Sequence, residues 1–128
     1  MNKLRNTKVT VNGETFDSKK EYSRWCELRI LERAGFITEL KRQVEYELIP
    51  KQVEVYERYG KNGKRLKDGV RVLEREVKYI ADFEYIQNGR KVVEDAKGYR
   101  DPSSAAYAKF VIKRKLMLWL KGIRVIEV

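Results

Sequence analysis

The dipeptide Asn88-Gly89 constrains this chain more than any other feature. A two-residue hairpin loop needs positive φ at both central positions, which asparagine and glycine tolerate, and its twist suits two antiparallel strands. The flanking runs, residues 79–86 and 91–97, are rich in strand-forming residues. Such a loop pairs Gln87 with Arg90, and counting back along both strands sets Asp82 directly opposite Asp95. Side chains alternate between faces, so Asp82, Asp95 and Lys97 share one face, while Glu94 pairs with Phe83 on the other.

Opposed carboxylates repel one another. Lys97 offers part of the compensating charge, and a divalent cation would offer more. Hard cations such as Mg²⁺ are held by one or two carboxylates together with waters and substrate phosphate oxygens. They activate water and stabilise in-line displacement at phosphorus. A neighbouring lysine can orient that water or neutralise the developing charge. The bland alternative is that both acids face solvent and Lys97 forms an ordinary ion pair. Tyr79, Ile80, Ala81, Val92 and Val93 flank the acids with apolar groups, and Ala96 and Gly98 leave room for a ligand.

The remaining chemistry is narrowed by what the chain lacks. Histidine is absent and Cys26 is the single cysteine. Serine–histidine triads, histidine-dependent zinc sites, multi-cysteine zinc sites and intrachain disulfides are therefore excluded. Lysine and arginine number 29 against 19 acids, a net charge of +10. No apolar run approaches the ~18 residues of a membrane span, and the N-terminus lacks the apolar core of a signal peptide. A cytoplasmic protein with no membrane partner is expected, and nucleic acid is the first partner to test.

The 128 residues suit a single domain, with a basic hairpin insertion at about 51–78. A basic arm opens the chain, followed by a short hairpin over 9–16 around Asn12-Gly13. Ser18 and Glu21 read as the N-cap and N3 members of a capping box that starts a helix, which Gly35 stops. Strand-like stretches at 36–40 and 44–48 follow, ended by Pro50. Residues 51–78 read as a long hairpin with a mobile basic tip. Asp101-Pro102 is expected to open a second helix, with Asp101 as N-cap, running to Lys121 before Gly122. Residues 123–128 complete a helix, three or four antiparallel strands, helix, strand order: a mixed α/β (α+β) sandwich.

Glu21 shares a helical stripe with Trp25 and Leu28, a face that should look toward the sheet. A carboxylate there must cap, pair or bind a cation, and capping and function are both open on this ground. Glu32, one turn beyond, reads as a helix-end residue reaching outward. The second helix carries an apolar stripe of Tyr107, Phe110, Val111 and Met117. Its second stripe, Ile112, Leu116 and Trp119, is expected to be further core, with a homodimer seam as the alternative.

These residues resemble the PD-(D/E)XK nuclease superfamily. That pattern places an acid on a first helix, an aspartate on a strand and D/E-x-K on the paired strand, in αβββαβ order. The matching positions are Glu21, Asp82 in Tyr79-Ile80-Ala81-Asp82-Phe83, and Asp95-Ala96-Lys97. The run Arg42-Gln43-Val44-Glu45-Tyr46-Glu47-Leu48 is similar to a small phage-type branch whose relatives include Holliday-junction resolvases and transposon-end nucleases. The resemblance covers residues 16 to 128. It departs in having Ala81 where proline is usual and aspartate where glutamate is commoner in the second acid. It implies a restriction-endonuclease-like core with Mg²⁺ or Mn²⁺ held by Glu21, Asp82, Asp95 and the Ala96 carbonyl. Lys97 would stand beside the attacking water, and Gln43 would touch the metal shell or the phosphate.

The expected activity is metal-dependent hydrolysis of DNA phosphodiesters without a covalent intermediate, on branched DNA among other candidates. The alternative is a non-catalytic nucleic-acid-binding module that keeps the nuclease-like sheet. Two basic features would serve DNA: the hairpin tip with Lys61, Lys64, Arg65 and Lys67, and Lys109 with Lys113 one turn apart on the second helix, with Tyr107 and Arg114 as weaker candidates.

Overall fold

The computed structural model describes residues 7–97 and 101–128. Most of the N-terminal arm, residues 1–6, and the proposed ligand clearance at Gly98 lie outside the described residues.

Strands β1 (Val9–Val11) and β2 (Glu14–Phe16) close around Asn12-Gly13, whose φ values are 53° and 80°. Helix α1 (Lys19–Arg33) starts where the capping pattern places it: Ser18 Oγ accepts the Glu21 N–H at 3.1 Å. The reciprocal bond differs from the expected box. Glu21 Oε1 accepts the N–H of Asp17 at 2.8 Å, one residue earlier than Ser18. Gly35, at φ 84°, turns the chain out of the helix.

The two strand-like stretches expected at 36–40 and 44–48 are one strand, β3 (Thr38–Ile49). Their separation in the sequence reflects two bends, because Glu39 and Gln43 take φ of 55° and 51°. Glu39 lies within a register shift between Thr38 and Lys41. Glu32 is exposed, as expected, and accepts the Leu40 N–H at 3.0 Å, tying the helix end to this strand.

Strands β4 (Gln52–Tyr56) and β5 (Gly69–Glu74) form the inserted hairpin as a separate two-stranded sheet. Gly69 lies under the Tyr56 ring, where an added Cβ would collide. Strands β6 (Val77–Gln87) and β7 (Arg90–Asp95) carry the predicted register from Gln87↔Arg90 to Phe83↔Glu94. Asn88 and Gly89 adopt the required φ of 52° and 75°.

Helix α2 (Ala105–Lys121) begins later than predicted, with Ser104 rather than Asp101 as N-cap. Both residues are good caps, but Asp101 Oδ1 is taken by the N–H and hydroxyl of Ser103 at 3.0 and 2.7 Å. This makes a turn that delivers Ser104 to the helix. Gly122 ends α2 at φ 67°, and β8 (Val125–Glu127) pairs parallel with β7. Among the described residues the result is a mixed α+β fold with two helices and a central sheet ordered β3-β6-β7-β8.

Each helix covers its own apolar cluster. Leu28 of α1 packs with Ile37, Phe83 and Tyr85. Phe110 and Met117 of α2 pack with Leu48, Tyr79, Ala81, Val93 and Val125. Buried Glu94 would be costly on the α1 side, but Arg24 grips it through Nε at 2.8 Å and a terminal nitrogen at 2.7 Å, and Tyr85 also donates to it.

Ala81 and Phe83 are two residues apart, so they should share a face, yet they belong to different clusters. Phe83 lies opposite Glu94 and Glu84 opposite Val93, which assigns these pairs to opposite faces. Val93 packs with Ala81. The alternation of β6 therefore changes phase at Asp82, across from left-handed Gln43. The second stripe of α2 is not core: Trp119 is 84% and Ile112 58% exposed, because the sheet covers one side of the helix only. Leu116 alone of that stripe packs against the core. Among the described residues, no helix is long and apolar enough to cross a membrane.

Candidate functional site

Asp82, Asp95 and Lys97 lie near one another at the end of the β6–β7 ladder, but the expected Asp82↔Asp95 backbone pair is not part of it. The ladder's last backbone pair is Phe83↔Glu94. Beyond it, the Asp82 side chain takes over the pairing: Oδ2 accepts the Ala96 N–H at 2.8 Å. Asp95 is 5% exposed. Its Oδ1 meets Lys97 Nζ at 2.8 Å, and its Oδ2 accepts the Tyr79 hydroxyl at 2.6 Å. Lys97 Nζ also stands 3.7 Å from the Phe110 ring centroid, so the ammonium lies between a carboxylate and a π-face.

Glu21 reaches this group from α1 and is 1% exposed. It is both a helix-start residue and a member of the site. Oε1 serves the Asp17 N–H, while Oε2 accepts from Gln43 Nε2 at 3.1 Å. The same Gln43 nitrogen donates to Asp82 Oδ1 at 3.3 Å. Left-handed backbone is uncommon for glutamine, and here it turns the amide between two carboxylates.

The electrostatics follow from this crowding. Burial is the largest influence on Asp82, followed by the charges of Asp95 and Glu21, and its pKa is pushed up to about 8. The Ala96 N–H opposes that rise. The Tyr79 hydroxyl is held far above its ordinary range by burial and then by Asp95. Arg42 lies on the Glu21 side. It sits 3.8 Å from the Phe16 ring centroid, donates to the Thr15 carbonyl at 3.0 Å and approaches Glu21 Oε2 at 4.0 Å. Its buried Nε has no protein partner.

Hard oxygen donors in excess over cations fit Mg²⁺ or Mn²⁺. The rise of the Asp82 pKa comes first from burial and then from Asp95 and Glu21, and a bound cation would offset the second part. The carboxylates are nonetheless not gathered into a ready cage: among the described residues, no three acid, histidine or cysteine side chains stand together as a metal-binding group. Gln43 holds the position between Glu21 and Asp82 instead.

A family model described as "Protein of unknown function (DUF1064)" matches residues 1–120. The chain belongs to the DUF1064 family. No curated protein and no solved structure matches it.

The basic hairpin tip of this DUF1064 chain belongs to a sheet other than the one that carries Asp82 and Asp95. Lys61, Lys64, Arg65 and Lys67 are all exposed on the hairpin tip. The tip is knit by Gly60 N–H to the Lys64 carbonyl at 2.8 Å and by Leu66 N–H to the Arg58 carbonyl at 2.9 Å. Arg65 is engaged with Asp68 at 2.6 Å, so its charge is partly spoken for. On α2, Lys109 is exposed and Lys113 half-buried. Tyr79 and Arg42 are the site residues that sequence reasoning missed. Tyr79 reads as an ordinary strand aromatic, and only its place on β6, the strand beside that of Asp95, gives its hydroxyl a task.

Glu21 supplies a prediction. Glu21→Gln keeps an oxygen for the Asp17 N–H but sets its amide nitrogen against Gln43 Nε2, so it should lose about 1 kcal/mol, whereas Glu21→Ala, which also empties a buried site, should lose about 2–4 kcal/mol. Calorimetry of both variants checks this; equal losses would mean that the charge, not the cap, holds the helix start.

Proposed function

We propose that this chain is a divalent-metal-dependent DNA endonuclease with a restriction-endonuclease-like core, hydrolysing phosphodiesters directly with water. The observation that carries the reading is the convergence of Glu21 and Asp95 on Asp82, with Lys97 bound to Asp95. The order α1, β3, β6, β7, α2, β8 supports the core assignment. The net charge of +10 supports a nucleic-acid substrate.

A Mg²⁺ or Mn²⁺ ion held by Asp82, Asp95, Glu21 and the Ala96 carbonyl would supply Lewis-acid polarisation of the phosphate and acidify a bound water. The chain's own groups prepare for that chemistry. The Ala96 N–H orients the Asp82 carboxylate. Tyr79 anchors one oxygen of Asp95, which leaves Lys97 on the other. Lys97, packed on Phe110, is placed to neutralise negative charge growing on the phosphate and to hold the attacking water. Gln43 holds its amide between Glu21 and Asp82.

A second reading is a non-catalytic nucleic-acid-binding module. It draws on one specific observation: all six carboxylate oxygens of Glu21, Asp82 and Asp95 already have protein partners. Incubation with linear, nicked, flap and four-way-junction DNA, with Mg²⁺ or with EDTA, separates the two. The enzyme cuts at least one substrate with the cation and none with EDTA. Binding without cutting under either Mg²⁺ or Mn²⁺ selects the module.

A further inference from the structure

An open groove of about 590 Å³ lies between the second half of α2 and β8. Arg114, Lys115 and Arg124 line it against a single anion, Glu127, with Leu118 and Ile126 as its apolar wall. Glu127 is the ladder partner of Asp95 on the neighbouring strand. Glu127 also meets Arg114 at 3.7 Å. Arg114 lies 5.9 Å from the Phe110 ring centroid, the ring on which Lys97 sits at 3.7 Å. The groove and the carboxylate site thus each place one cation near the same aromatic ring.

We propose that this groove is the track for the DNA backbone on one side of the cleaved phosphate. The inference rests on the nuclease reading and names the surface that its substrate would follow. Three cations against one anion favour a polyanion, and Leu118 and Ile126 suit the sugar edge between phosphates. Lys115 and Arg124 are exposed, so their ammonium and guanidinium groups are available to phosphate oxygens. The hairpin tip is a separate basic surface on its own two-stranded sheet.

The test measures duplex-DNA binding by fluorescence anisotropy in EDTA across a range of salt, so that cleavage plays no part. Lys115→Gln with Arg124→Gln is expected to reduce the log–log salt slope by about 1.8, from ~0.9 for each lost phosphate contact. Removing the same charge from exposed Arg33 and Lys51 is expected to shift it by much less. Equal effects from the two pairs would overturn the proposal, because net charge alone would then explain binding. An unchanged slope in the groove variant, or no binding by the parent protein, would overturn it too. The two readings fail separately: DNA binding that depends on the groove but never leads to cleavage with Mg²⁺ sinks the nuclease reading and leaves the track.

Discussion

Metal-free protein is expected to lose stability as pH rises from about 5 to about 8, and Asp82→Asn is expected to remove most of that loss. The folded protein holds the Asp82 proton up to a pKa of about 8, above the ordinary carboxylate value. A raised carboxyl pKa means that the folded state binds more protons than the unfolded one. The associated stability is full below the unfolded pKa and disappears as pH climbs through the folded one. At ~1.36 kcal/mol per pK unit, three pH units correspond to on the order of 4 kcal/mol. Asparagine keeps an oxygen for the Ala96 N–H but has nothing to titrate. Mg²⁺ should act in the opposite sense, raising the melting temperature most at high pH, where Asp82 is ionised. Thermal melts in EDTA and in Mg²⁺ across this range check the account. A flat parent profile, or an equal slope in Asp82→Asn, would contradict it.

Lys97→Ala and Asp82→Ala are each expected to reduce DNA cleavage by on the order of 10²–10³-fold or more, the scale on which lost charge stabilisation acts in a site closed to water. Their circular dichroism spectra should match the parent. Lys97 makes its contacts with Asp95 and with the face of Phe110, so its removal leaves the sheet ladder and both apolar clusters in place. Cleavage within tenfold of the parent in Lys97→Ala would remove the lysine from the chemistry. It would return the Asp95 contact to an ordinary ion pair.

The parts of this architecture that sequence could reveal are those governed by local stereochemistry. Asn88-Gly89 sets a register that carries Asp82 and Asp95 together, because positive φ at two successive residues has few other solutions. Ser18 announces its helix through a bond three residues long. Gln43 shows where such reasoning stops. Nothing in a glutamine signals left-handed backbone, and its conformation is maintained by two carboxylates that arrive from 22 and 39 residues away. The phase change of β6 at Asp82 is hidden for the same reason. Tyr79 becomes a hydrogen-bond donor to Asp95 only once β6 and β7 are assembled. At the second helix two local signals competed, and Ser103 decided between them by occupying Asp101. Trp119 lies on an apolar stripe whose period is helical, but periodicity cannot say whether a second layer exists to cover it.

We propose that the carboxylate cluster built around Asp82 and Asp95 hydrolyses DNA with a divalent cation. Its most direct test is a side-by-side cleavage assay of the parent protein and Asp95→Ala on the panel of branched and linear DNAs, in Mg²⁺ and in EDTA. The parent is expected to cut in Mg²⁺ alone and the variant in neither. Cutting by Asp95→Ala at the parent's rate, or by the parent in EDTA, would contradict it.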